Sequence, residues 1–110
     1  LAAGADAIFA EALRTLDDYR AFTVAVRAPV LANLTEFGQT PLFTLDELRS
    51  AGLAMALYPL GASRAAAAAS RDFYTTLRRD GTQRDALAGM QTRAELYDVL
   101  GYTPPRPPQI

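Results

Sequence analysis

The fold is decided by the stretch Pro29-Val30-Leu31-Ala32-Asn33, a short apolar run that ends in an amide side chain. A run of this length and composition predicts a strand that is buried in a sheet. Two similar runs flank it, Ala7 to Ala10 and Leu53 to Tyr58, so the predicted strands start near residues 7, 30 and 53. This spacing accommodates one strand and one crossover helix in each interval, and we therefore predict consecutive β/α units.

Helix signals occupy the intervals between the strands. Thr15 is expected to cap a helix whose first turn carries Asp17 and Asp18, which the positive end of the helix dipole favours. The buried stripe of this helix is predicted to consist of the residues at helical spacing, Leu16, Tyr19, Phe22, Thr23 and Val26.

The second half of the chain carries three more helix signals. The stretch Thr44 to Glu47 has the pattern of a capping box, which opens a short helix. A long helix is predicted to follow 59–63 and to run to about Asp80, with Gly81 as its stop. Two shorter helices are expected beyond it, the second capped by the box Thr92 to Glu95 and ended by Gly101.

Apolar strands that alternate with amphipathic helices indicate an α/β fold with a parallel sheet covered on both faces. Three strands alone leave bare edges and an uncovered face, so we expect the C-terminal part of a β/α barrel, about its last three β/α units plus C-terminal helices. Residues 1–102 are assigned to this barrel portion and residues 103–110 to a Pro-rich extended tail. The opening Leu1 to Gly4 resembles the end of a helix, which suggests a segment of a longer protein.

The composition excludes several kinds of function. The chain has 110 residues, 50% of them apolar, and a formal net charge of −1, which is unlike a disordered tail or a basic protein that binds nucleic acid or anionic membranes. It contains no Cys, no His and no Lys, so the 110 residues of this sequence cannot supply a thiol nucleophile, a His base or a Schiff-base lysine. With neither Cys nor a signal-peptide pattern, we expect a cytoplasmic location.

Polar side chains follow the predicted strands: Glu11, then Asn33 with Thr35, and Arg64 just beyond the third. The carboxyl ends of barrel strands face one side, so we expect these groups to converge on one cavity. Glu11 could equally be a salt-bridged structural carboxylate, and Asn33 alone fits a loop-stabilising role better. Arg64 is the stronger signal, because a cation in the first turn of a helix implies an anion held nearby, whereas Glu36 is expected to be solvated. The residues alone therefore predict a pocket for carboxylates or phosphates.

One long motif follows the second predicted strand, Asn33-Leu34-Thr35-Glu36-Phe37-Gly38-Gln39-Thr40-Pro41-Leu42-Phe43. It is accompanied by the stretches Gly4–Asp6, Phe9–Ala12, Asp46–Arg49, Met55–Leu60, Gly81–Gln83 and Met90–Tyr97. In these motifs the sequence resembles a known family, the bacterial 2-methylisocitrate lyases of the isocitrate lyase and phosphoenolpyruvate mutase superfamily. The resemblance extends from about Gly4 to Tyr102.

The resemblance implies Mg²⁺-dependent cleavage of 2-methylisocitrate to pyruvate and succinate, a step of propionate catabolism in the methylcitrate cycle. It implies that Arg64 and Arg93 pair with substrate carboxylates, that Asn33 and Thr35 add neutral hydrogen bonds, and that Glu11 lies near the metal end. Leu34 would contribute through its backbone. The implied substrate-binding residues are thus Glu11, Asn33, Leu34, Thr35, Arg64 and Arg93.

The family's magnesium-binding aspartates and its Lys-Lys-Cys-Gly-His loop have no counterpart in this sequence, and the resemblance places them upstream. The chain alone is therefore expected to hold no catalytic residue and no metal ligand, and not to cleave the substrate. The resemblance also implies a homo-oligomer, a homotetramer, in which residues 82–102 could exchange between subunits. The alternatives are a related enzyme that acts on oxaloacetate, phosphonopyruvate or carboxyphosphonate, and a non-catalytic remnant that serves in oligomer assembly.

Overall fold

The computed structural model describes residues 1–105 of the chain. Strands and helices alternate as predicted, in the order β1 (Ile8–Ala10), α1 (Leu16–Val26), β2 (Val30–Asn33), α2 (Leu45–Ser50), β3 (Met55–Leu57), α3 (Gly61–Asp80), a 3₁₀ helix (Arg84–Gly89) and α4 (Arg93–Leu100). By its contacts the chain divides into two compact units, Leu1–Ala67 and Ala68–Ile110.

The first unit contains a three-stranded sheet in the order β1-β2-β3, and both strand pairs are parallel. The register places Phe9, Leu31 and Met55 side by side in one row. Ala10 and Ala32 are partners in the next row. Successive residues of a strand point to opposite faces, so these two rows lie on opposite sides of the sheet. The predicted α/β class with a parallel sheet is confirmed.

Helices cover one face of this sheet and form the core with it. Ala10, Val30 and Ala32 are buried there against Tyr19 of α1 and Leu48 of α2. The Tyr19 side chain is fully buried, and its ring meets that of Phe43 edge to face with the centroids 6.3 Å apart. The predicted stripe of α1 is therefore its packing face.

The opposite face of the sheet is uncovered in this chain. Phe9 is 49% exposed, Met55 40% and Leu57 37%. This agrees with the expectation that three strands alone leave one face bare, because the crossover helices α1 and α2 pack on a single side. A sheet that is apolar on both faces and covered on one is incomplete as an independent domain.

Both predicted capping boxes form, and the predicted cap Thr15 makes a third one. In each box the Thr hydroxyl accepts a hydrogen bond from the backbone N–H three residues later, and the acidic side chain at that position accepts one from the Thr backbone N–H. The pairs are Thr15 with Asp18, Thr44 with Glu47, and Thr92 with Glu95. Gly81 and Gly101 follow α3 and α4 with positive φ, as predicted for the residues that end these helices. Leu1 to Gly4 form a turn closed by a hydrogen bond of 2.9 Å from the Gly4 N–H to the Leu1 carbonyl, and Gly4 has a positive φ of 95°.

The box at Thr44 makes stability depend on pH. Hydrogen bonds from the backbone and hydroxyl of Thr44 hold the pKa of Glu47 below its ordinary value of 4.5. A carboxyl whose pKa is lower in the folded state stabilises the fold above its unfolded pKa, and this contribution is lost as the pH falls through the folded pKa. We expect the native protein to exceed Glu47→Gln in thermal stability at neutral pH and to lose that advantage on acidification. A difference in melting temperature that stays constant with pH would contradict this.

The second unit has little core of its own. Between residues 68 and 105, the part of this unit that the structure describes, no side chain is buried. Leu87, Val99 and Leu100 are each more than half exposed, and Tyr97 packs edge to face on Tyr102 with centroids 4.9 Å apart. Among residues 1–105 no helix is long and apolar enough to cross a membrane. The predicted tail at 103–110 lies outside the described residues from position 106 onward.

Candidate active site

A small cavity of about 130 Å³ lies at the carboxyl ends of β1 and β2. Three of the predicted site residues line it, Glu11, Asn33 and Thr35. The rest of the lining comes from Ala12, Gly38, Gln39 and Thr40. One carboxylate, two amides and two hydroxyl groups thus face a space large enough for a few water molecules or the end of a small polar ligand.

The parallel register explains why these residues meet. Ala10 pairs with Ala32, so the residues that follow them, Glu11 and Asn33, lie side by side at the carboxyl ends of β1 and β2. Ala12 then adopts a left-handed conformation with φ 56°, which turns the chain directly after Glu11. A non-glycine residue in this conformation costs roughly 1–2 kcal/mol, so the turn is maintained by its surroundings.

Asn33 and Thr35 are tied to each other. The Thr35 hydroxyl donates a hydrogen bond of 3.1 Å to the Asn33 side-chain oxygen. This bond orients the carboxamide, whose NH₂ group is a suitable donor to a carboxylate oxygen. The pair therefore presents neutral hydrogen-bonding groups in a fixed arrangement.

Leu34 lies between them and has a different role. Its side chain is 1% exposed and belongs to the core, and its backbone N–H donates to the Leu57 carbonyl at 2.9 Å. The amide is thus engaged within the sheet, and a ligand contact through the Leu34 backbone would have to use its carbonyl oxygen.

Arg64 stands in the first turn of α3 and does not line the cavity. Its Nε lies 3.7 Å from Oε2 of Glu36, and its guanidinium lies over the Phe37 ring, 5.3 Å from the centroid. The Glu36 side chain is 24% exposed, and its Oε2 is buried without a hydrogen-bond partner among the described residues. The expectation that Glu36 is solvated is wrong, because the start of α3 offers it a cation and the positive end of a helix dipole.

The anion inferred beside Arg64 is therefore, within this unit, the Glu36 carboxylate. Helix α3 has no acidic residue in its first turn, and Oε1 of Glu36 lies against Gly61, the first residue of the helix. A carboxylate there complements the dipole that Arg64 opposes. The lack of an acid in the first turn of α3 was the signal that could have identified Glu36.

Glycine at position 61 makes room for this carboxylate. A Cβ atom built there would lie 2.6 Å from Oε1 of Glu36, closer than real contacts allow. Gly61→Ala is expected to displace the Glu36 side chain from Arg64 while changing the free energy of unfolding by less than about 1 kcal/mol, because the far end of a flexible side chain can move. A crystal structure and a urea titration would measure the two effects, with Gly89→Ala as control, since nothing lies within 4 Å of that position. An unmoved Glu36 would contradict the prediction.

Arg93 is the first residue of α4, directly after the cap Thr92, and is exposed in the second unit.

Two residues that line the cavity, Gln39 and Thr40, were not predicted from the sequence as site residues. Gln39 accepts a hydrogen bond from Arg14, which is 25 residues earlier in the chain, and no local sequence pattern predicts a contact between them. Among residues 1–105, no group of three or more acidic, His or Cys side chains could hold a metal ion.

Parallel β/α units with polar side chains gathered at the carboxyl ends define an α/β protein with a candidate site for a small polar ligand. No family model matches the chain. It is 59% identical over 102 residues to the 2-methylisocitrate lyase of Shewanella oneidensis, covering 93% of this chain and 35% of that enzyme. It is 56% identical over 100 residues to the 2-methylisocitrate lyase of Salmonella typhimurium, and this match covers 91% of the present chain and 34% of that enzyme. The resemblance to the 2-methylisocitrate lyases is confirmed, and the chain spans about a third of the length of these relatives.

Solved structures support the same relationship. The chain is similar to 2,3-dimethylmalate lyase, a PEP mutase/isocitrate lyase superfamily member, with a TM-score of 0.76 and 30% identity over 91% of this chain and 35% of that one. It is also similar to oxaloacetate acetylhydrolase in complex with 3,3-difluorooxalacetate, with a TM-score of 0.72 and 29% identity over 89% and 33%. The parallel β/α arrangement of the first unit is thus found in enzymes of this superfamily.

Proposed function

We propose that this chain is part of a 2-methylisocitrate lyase, a carbon–carbon lyase that releases pyruvate and succinate, and that it supplies the part of the site that holds substrate carboxylates. The observation that carries the proposal is the high identity to enzymes of that name over more than nine-tenths of the chain. The cavity bordered by Glu11, Asn33 and Thr35 supports it, since these groups suit a hydroxylated carboxylic acid.

In this proposal each polar group has a distinct task. Arg64 and Arg93 pair with substrate carboxylates, and the Asn33 NH₂ and Thr35 hydroxyl hold neutral oxygen atoms by hydrogen bonds. Leu34 contributes its backbone carbonyl. Glu11 accepts a hydrogen bond from the substrate hydroxyl, which would orient the bond to be broken. All these tasks are binding and orientation, and they leave the proton-transfer chemistry to residues outside this chain.

The same proposal assigns the chain to the C-terminal portion of a β/α barrel in a cytoplasmic homo-oligomer. The uncovered row of Phe9, Leu31 and Met55 fits the inner face of a barrel wall, which neighbouring strands would complete. The exposed apolar residues of the second unit, such as Leu87, Val99 and Leu100, fit a helical segment that packs on a partner subunit. Homotetramer formation with exchange of residues 82–102 is part of this proposal.

A requirement for Mg²⁺ belongs to the proposal as well. The described residues do not fit a magnesium site by themselves, because no three potential ligands gather among them. Glu11 is the carboxylate of the cavity, and one carboxylate does not make a Mg²⁺ site without further ligands or substrate groups. We therefore propose that the metal ligands come from the remaining two-thirds of the enzyme.

The test is pyruvate release from 2-methylisocitrate by the intact protein with Mg²⁺, followed through the oxidation of NADH by lactate dehydrogenase. We expect turnover by the intact protein and none by residues 1–110 alone. Cleavage of oxaloacetate or 2,3-dimethylmalate without cleavage of 2-methylisocitrate would favour a related enzyme of the superfamily. A folded intact protein that acts on none of these three compounds, nor on phosphonopyruvate or carboxyphosphonate, would favour the non-catalytic alternative.

A further inference from the structure

The turn after Asn33 brings two side chains onto Arg64. Residues 35–38 form a tight turn, closed by a hydrogen bond of 3.2 Å from the Gly38 N–H to the Thr35 carbonyl. Within it, Glu36 approaches the guanidinium through a carboxylate oxygen and Phe37 through the face of its ring. Adjacent residues of one turn thus hold one cation by different forces.

Phe37 occupies the third position of this turn, where a left-handed backbone is needed and Gly or Asn would be the favoured residue. Its φ of 63° is left-handed, which an aromatic residue rarely adopts, and its side chain is 91% exposed. A side chain so exposed adds little to the core, and the left-handed backbone costs free energy. Strain of this kind is found where the surroundings or the function require a particular placement. The face of the ring lies beneath the Arg64 guanidinium, with Cζ 5.3 Å from the ring centroid.

The geometry leaves Arg64 able to bind a second anion. The Glu36 contact involves Nε, so the end of the guanidinium that carries Nη1 and Nη2 can form a two-pronged pair with another carboxylate. A guanidinium already fixed by a ring and a carboxylate loses less side-chain freedom when this pair forms.

We propose that Phe37, together with Glu36, is a positioning residue that fixes the Arg64 guanidinium so that its Nη1–Nη2 end receives a substrate carboxylate. This inference rests on the proposed function in that Arg64 is taken to bind substrate. Glu36 also repels an incoming carboxylate, so its removal has opposing effects. The neutral ring of Phe37 gives the cleaner test.

The experiment compares Phe37→Leu with Phe37→Tyr in the intact protein. Leucine removes the π face and tyrosine keeps it. We expect Phe37→Leu to raise KM for 2-methylisocitrate by about three- to fivefold, which is the size of a cation–π contact, with little change in kcat. Phe37→Tyr is expected to keep the native KM. Because the ring is exposed, both variants are expected to fold, which their thermal unfolding checks.

A double-mutant cycle with Arg64→Ala separates positioning from a general structural effect. If Phe37 acts through Arg64, Phe37→Leu has no further effect in the Arg64→Ala background. The same cycle measured by calorimetry with succinate as the probe needs no turnover, so it tests the inference even if 2-methylisocitrate is not cleaved. Equal effects of Phe37→Leu in both backgrounds, or a change in succinate affinity below twofold, would overturn the inference and leave the proposed function intact.

Discussion

On the function proposed above, Arg64→Ala is expected to weaken binding of 2-methylisocitrate to the intact protein by more than about tenfold, because a desolvated carboxylate loses its charged partner. The arrangement around Arg64 adds a second reason. Without the guanidinium, the carboxylate of Glu36, whose Oε2 is buried, keeps its negative charge unpaired beside the incoming substrate. Both effects weaken binding of the substrate, so we expect Arg64→Ala to change KM more than kcat.

The measurement is KM for the substrate together with the dissociation constant of succinate from calorimetry. Arg49→Ala provides the control, since Arg49 is an exposed arginine of the same unit that pairs only locally, with Asp46 at 2.6 Å. A loss below about twofold for Arg64→Ala, or an equal loss for the control, would return Arg64 to a purely structural role as the partner of Glu36.

Tyr19→Ala is expected to lower the free energy of unfolding by about 3–5 kcal/mol, the usual cost of removing a buried ring. Tyr19 is fully buried in the only core that the described residues form, between the sheet and Phe43. Removing the ring would leave a cavity below the strands that carry the candidate site. The loss can be measured by urea denaturation.

Tyr19→Phe is the matched control. Burial raises the pKa of the Tyr19 phenol, although the neighbouring Thr40 hydroxyl opposes part of the rise, so the group is neutral at physiological pH. Its hydroxyl oxygen makes no hydrogen bond that meets normal distance and angle limits within residues 1–105. Removing it should therefore change stability by less than about 1 kcal/mol in either direction. A cost equal to that of Tyr19→Ala would mean that the hydroxyl, and not the ring, supports the core.

The regular elements were predictable because their signals are local. The apolar run before Asn33 predicts β2, the Thr44 and Thr92 boxes predict the starts of α2 and α4, and the spacing of Tyr19 within its helix predicts the buried stripe. Each signal depends on residues at most a few positions apart. The convergence of Glu11, Asn33 and Thr35 was predictable too, since parallel strands bring their carboxyl ends to one edge.

The contacts of Glu36 were not predictable in the same way. Nothing in the turn itself shows that its carboxylate meets Arg64, twenty-eight residues later, since the meeting depends on how β3 and the start of α3 return to the end of β2. The place of Leu34 follows from a similar distant contact, the hydrogen bond of its amide to Leu57. Sequence patterns identify groups that need a partner, whereas the fold determines which partner they find.

The uncovered row of Phe9, Leu31 and Met55 has a consequence for how such a protein is made. Apolar surface beside unpaired strand edges promotes association between chains, and it persists until the remaining strands of a domain are in place. A ribosome-bound or proteolytically released segment with this row exposed would be a substrate for chaperones and prone to aggregate at micromolar concentrations. The apolar row that suits the interior of a complete domain thus makes its isolated part a liability for protein quality control.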